Sequence, residues 1–113
     1  FIATVKKSVE DNMDNPSFNV DVLCNLLNMS RTSFYNKIKA LTDQAPADYI
    51  RLIRLKHAAQ LLKEQKHTIT EISELTGFSD AKYFREVFKK HFNMSPSQYA
   101  KRGKEGKDDE EIK

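Results

Sequence analysis

Apolar residues return every three or four positions along most of this chain, the period of an amphipathic helix rather than of a strand. Ile2, Val5, Val9 and Met13 share one face, which predicts a helix over 2–14 that Asn15-Pro16 breaks. Asn19 is placed to cap a short helix over 20–27, with Asp21 in its first turn. Ser30 can cap a helix over 31–42 with Phe34, Ile38 and Leu41 inside and Thr32, Tyr35, Asn36 and Lys39 opposite. Pro46 suits the first position of a helix over 46–65. That helix is apolar nearly all round, from Tyr49, Ile50 and Leu52 through Ile53, Leu55, Ala58, Leu61 and Leu62, which predicts burial on two sides. Arg51, Arg54 and Lys56 are its charged exceptions and read as ion-paired or solvated, with phosphate contact as the other reading.

The densest pattern runs from Thr68 to Tyr99. A short helix offers Ile69, Ile72 and Leu75 as its apolar side, and Thr68 with Glu71 forms a capping-box start. Gly77 supplies the positive φ that ends a helix abruptly. Ser79 or Asp80 then caps a second helix, in which Phe84, Val87, Phe88 and His91 share one face and Lys82, Arg85, Glu86 and Lys89 the opposite one. A short helix, a tight turn and a helix with an apolar back and a basic front is a helix-turn-helix pattern. It also fits any helical hairpin with a solvated charged face. Ser95-Pro96-Ser97-Gln98 reads as another capping box, opening a last helix in which Tyr99 packs back on the later unit.

An internal repeat favours the helix-turn-helix reading. A slide of 50 sets Phe34 on Phe84, Ile38 on Phe88, Lys39 on Lys89, Pro46 on Pro96 and Tyr49 on Tyr99. Upstream of the turn a slide of 49 sets Leu23 on Ile72, Leu26 on Leu75, Asn28 on Gly77 and Ser30 on Ser79. After Gly, Asn is among the residues that best tolerate the left-handed region, so both copies keep a residue suited to the same sharp turn.

The motifs GFSDAKYFREVFKKHF and SPSQY in the later copy, with MSRTSFYNKIKALT, PADYI and RLKHAAQLL before them, resemble the DNA-binding domain of AraC/XylS-type transcription regulators over about residues 1–101. The resemblance implies an all-α fold of about seven helices. Two helix-turn-helix units, about 20–42 and 69–92, are joined by a linker helix at about 46–65 within a domain spanning 1–100. It implies binding of double-stranded DNA with two recognition helices in successive major grooves, RNA polymerase as a plausible partner, and an upstream ligand-sensing domain or phosphorelay receiver. MSRTSFYNKIKALT is most similar to output domains of hybrid two-component sensors. The sequence departs from the family at Asp43 and Asn93, where Gly is usual, at Asn36, where many members carry Arg, and at Ala100 after the final Tyr.

Charge agrees with a phosphate-binding surface. Residues 1–21 carry two basic and four acidic side chains and residues 101–113 five of each, which leaves twelve basic and seven acidic, net +5, in residues 22–100. The 101–113 stretch, KRGKEGKDDEEIK, reads as a disordered charged tail. Cys24 is the one cysteine and reads as a buried structural thiol. No nucleophile elbow, phosphate loop or zinc-ligand pair occurs, and the three histidines, His57, His67 and His91, are dispersed. No enzyme, cofactor or metal is therefore expected. No signal peptide or membrane span is visible, so a cytoplasmic setting without membrane contact is expected, and a chain starting at Phe1 reads as part of a longer protein.

The reading is a DNA-binding output domain. Arg31, Thr32, Tyr35, Asn36, Lys82, Arg85 and Glu86 are candidates for base edges, because they lie early in their helices and point away from the core. Lys39, Lys89 and Lys90 come later and are candidates for phosphate. Arg85 has the donors for guanine and Asn36 the pair for adenine; Glu86 could accept from cytosine or hold Arg85 in place. A helical protein-interaction module without DNA contacts is the alternative.

Overall fold

In a computed structural model of the chain, residues 1–105 are described, with side chains through Arg102. They form α1 (Ile2–Asp11), α2 (Val20–Leu26), α3 (Arg31–Thr42), α4 (Pro46–Glu64), α5 (Ile69–Leu75), α6 (Ala81–Phe92) and α7 (Pro96–Glu105), with no strand among the described residues. The predicted starts rest on the expected caps. Asn19 accepts from Val22 N, Ser30 from Ser33 N and Asp80, rather than Ser79, from Lys82 N. Thr68 with Glu71, and Ser95 with Gln98, form reciprocal capping boxes. Pro46 stands at the start of α4.

Two hydrophobic clusters share α4 end to end. Ile50 and Ile53 from its first half join Val5, Val9, Met13, Phe18, Leu23, Cys24, Phe34 and Ile38. Leu55, Ala58, Ala59 and Leu62 from its second half join Ile72, Phe78, Phe84 and Phe88, with Tyr99 and Ala100 of α7 packed against them. The two predicted apolar stripes thus divide along the length of α4 as well as around it. The first core is mostly aliphatic. The second is a run of rings, with centroids 5.0 Å apart for Phe78–Phe84, 5.7 Å for Phe84–Phe88 and 5.4 Å for Phe88–Tyr99.

Several expectations are corrected. α1 ends at Asp11 rather than 14, because Asn12 leaves helical geometry and the carbonyls that follow turn inward to Arg54. Leu41 is exposed, not core; Thr42, four residues after Ile38, takes the inward position and returns its hydroxyl to the Ile38 carbonyl at 2.8 Å. Leu75 is likewise exposed, and Thr76, four after Ile72, is fully buried with its hydroxyl on the Ile72 carbonyl at 2.7 Å. The inner face at each short helix is therefore i, i+1, i+4: Leu23 and Cys24 with partly buried Leu27 at the C-cap of α2, and Ile72 and Ser73 with Thr76 at the C-cap of α5. His91 is exposed, its ring edge-on to Phe92. Residues 101–105, expected to begin a disordered tail, continue α7, which its capping box nucleates and its Tyr99–Ala100 contacts anchor. The rest of that expected tail lies outside the described residues.

Candidate nucleic-acid interface

Each candidate side chain is placed by the buried residues behind it. In α3, Phe34 and Ile38 fix the inward direction, so Arg31, Thr32, Tyr35, Asn36 and Lys39 are all exposed. In α6, Phe84 and Phe88 do the same, and Lys82, Arg85, Glu86, Lys89 and Lys90 are exposed. The two outward faces are thus built on repeat-equivalent buried pairs. Asn28 (φ 54) and Gly77 (φ 80) turn the chain into them, and Asp43 and Asn93, both at φ 60, end them in left-handed caps. The sequence expectation of positive φ at both turns is met. Lys39 lies in the last turn of α3, and Lys89, Lys90 and His91 in that of α6, where cations complement the helix dipole.

Not every candidate is equally available. Arg31 Nε lies 3.1 Å from Asp21 Oδ1, an exposed pair that α2 supplies and that contributes little. Lys39 Nζ donates to the Asp43 carbonyl at 3.3 Å. Glu86 forms no ion pair with Arg85 among the described residues, because neighbours at i, i+1 point apart on a helix. Arg31, Thr32 and Tyr35 border an open hollow with Val20 and Pro46 between α2, α3 and the start of α4. Lys90 lines a different groove of about 550 Å³, with Arg51, Asp48, Tyr83 and His91, between α4 and α6. Lys90 therefore borders the groove between α4 and α6, which Lys82 and Arg85 do not line.

One residue of this region was not singled out from the sequence, and one was singled out for a different role. Tyr83 is 43 % exposed beside Lys82, its ring tilted against Phe78. A slide of 50 pairs it with Ser33, which hid an aromatic at the edge of the later face. Arg54 is the other. Burial at 5 % exposure and hydrogen bonds to backbone carbonyls replace the ion pair or solvated face expected of it. Arg51 does pair, with Asp48 at 2.6 Å, and Lys56 is exposed. Burial pushes the Arg54 guanidinium below its ordinary range and raises the Cys24 thiol, to which Asp21 adds and Arg31 is opposed. A buried, protonated Cys24 is a packing residue.

The helix-turn-helix domain family matches residues 23–102. The chain belongs to the AraC-type helix-turn-helix family. Histidine kinase P4 of Formosa agariphila is 50 % identical over 96 residues, which is 85 % of this AraC-type chain and 7 % of the kinase. The C-terminal domain of the two-component response regulator yesN from Fusobacterium nucleatum superposes with a TM-score of 0.79 at 28 % identity, covering 87 % of this chain and 95 % of that one. The DNA-binding domain of AdpA, crystallised in complex with a target DNA, superposes with a TM-score of 0.81 at 25 % identity, covering 90 % and 93 %. Among the described residues, no helix of this AraC-type domain is long and apolar enough to cross a membrane.

Proposed function

We propose that this chain is the sequence-specific, double-stranded-DNA-binding output domain of a bacterial transcription regulator, with α3 and α6 entering successive major grooves on one side of the duplex. The observation that carries this is the pair of outward polar faces at matching positions on two helices that share one rigid spacer. α4 has 19 residues, about 28 Å at 1.5 Å per residue, and a turn of B-DNA is about 34 Å. Arg31, Thr32, Tyr35 and Asn36 read base edges from α3; Lys82, Arg85 and Glu86 read them from α6. Lys39, Lys89 and Lys90 hold phosphates. The AdpA domain, crystallised in complex with a target DNA, supports the DNA-binding part of this reading.

The kinase and response-regulator relatives support a phosphorelay setting, in which an upstream sensor or receiver controls this domain in the cytoplasm and RNA polymerase is its downstream partner. Genomic fragments that shift with the protein, followed by footprinting, test the reading. Two protected stretches about one helical turn apart on one face are expected. A chain that shifts no fragment at low salt is instead a helical protein-interaction module.

A further inference from the structure

We propose that Arg54 is the positioning residue that fixes the offset between the two helix-turn-helix units, by gathering carbonyls of the α1–α2 loop and of the α5–α6 turn onto one guanidinium. This rests on the two-groove reading for its consequence in DNA, but its geometry stands without it.

Arg54 occupies the point on α4 where one core ends and the other begins. Ile53 belongs to the first cluster and Leu55 to the second. Its Nη1 donates to Met13 O and to Thr76 O, both at 2.9 Å. Its Nη2 donates to Asn15 O at 3.0 Å and Phe18 O at 3.1 Å. Three acceptors lie in the loop that leads into the first unit, and the fourth is the carbonyl just before the turn of the second. A planar fork with five N–H donors can meet carbonyls in four directions at once; a lysine ammonium cannot. Buried carbonyls demand a donor, so each unit is tied to the same group.

Gly77 completes the arrangement. A Cβ there would fall inside the Arg54 guanidinium and 2.6 Å from the Met13 carbonyl oxygen. The turn of the second unit therefore lies directly against the loop of the first, with only the guanidinium between them. Around Arg54, Pro16, Phe18 and Asn19 of the α1–α2 loop and Val20 at the start of α2 line an open cleft of about 190 Å³ with Phe78 and Tyr83 of the second unit. The cleft supplies little direct packing between the loop and the turn, so beyond the α4 to which both cores are packed it is the Arg54 hydrogen bonds that join them.

The test compares the wild-type chain with Arg54→Lys and Arg54→Gln. Free of DNA, spin labels at exposed Asn25→Cys and Glu74→Cys, which are repeat equivalents, report the distance between units; buried Cys24 stays unlabelled. A narrow distribution in the wild type and a broadened one in the folded variants is expected. On DNA, a base pair inserted between the two elements shifts one by about 3.4 Å and about 35°. The wild type is expected to lose on the order of tenfold in affinity per insertion, as for a mismatched pair, and the variants much less. Circular dichroism checks folding. Equal distance widths and equal spacer penalties would overturn the proposal, as would loss of folding in both variants, which would make Arg54 a core residue only. A wild type that binds no DNA defeats the two-groove reading, while the distances still decide the role of Arg54.

Discussion

Asn28 and Gly77 stand at equivalent turns of the repeat with φ of 54° and 80°, yet only one of them has room for a side chain. Asn28 is exposed, whereas the Cα of Gly77 faces the Arg54 guanidinium. Asn28→Gly is therefore expected to change stability by no more than about 0.5 kcal/mol. Gly77→Ala combines left-handed strain of about 1–2 kcal/mol with displacement of Arg54 from buried carbonyls worth about 1–3 kcal/mol each. It should cost about 3 kcal/mol or more. Denaturant titration of both variants checks the asymmetry; similar losses at the two turns would contradict it.

Lys39→Ala and Lys89→Ala should weaken binding to every duplex alike. Each lies at the end of its helix, and Lys39 gives up only a 3.3 Å exposed hydrogen bond to reach a phosphate. The slope of log K against log salt should fall by about 0.9 for each contact removed. An unchanged slope would mean that the lysine points to solvent in the complex.

The capping box of α5 gives the fold a small acid dependence. The Glu71 carboxylate accepts from the Thr68 backbone N–H at 2.8 Å, while the Thr68 hydroxyl accepts from the Glu71 N–H at 3.1 Å; the backbone bond first, and then the Thr68 side chain, hold the Glu71 pKa below the ordinary glutamate range, and His67 adds to this. A group depressed on folding stabilises fully above its unfolded value, about 4.3, and loses that contribution as pH falls through the lower folded value. The wild type should therefore melt above Glu71→Gln at pH 7, and the gap should close below about pH 4. A gap that is constant across that window would contradict the assignment.

Helix caps, the repeat and the two outward faces were legible in the sequence because they depend on local chemistry. Ser30, Thr68 and Asn19 announce their helices by side-chain oxygens at fixed offsets, and the turn shared by Asn28 and Gly77 follows from backbone sterics. Most of what the sequence missed concerns partners in other helices. Leu41 and Leu75 are apolar at helical spacing yet exposed, while half-buried Thr42 and buried Thr76 take the inward side, their hydroxyls bonding back to their own helix, which lowers the cost of burying them. The partners of Arg54 are carbonyls 22 to 41 positions away, which no side-chain pattern encodes.

Selection from randomised DNA with the isolated domain tests the two-reader claim most directly. The α3 face offers Thr32, Tyr35 and Asn36, and the α6 face Lys82, Arg85 and Glu86, so one copy should select a non-palindromic site with two unlike elements about one helical turn apart. Arg85→Ala should relax preference only in the element read by α6, by about 1–3 kcal/mol for a bidentate guanine contact, and Asn36→Ala only in the other. A palindrome selected by the wild type, or an Arg85→Ala variant that alters both elements alike, would contradict it.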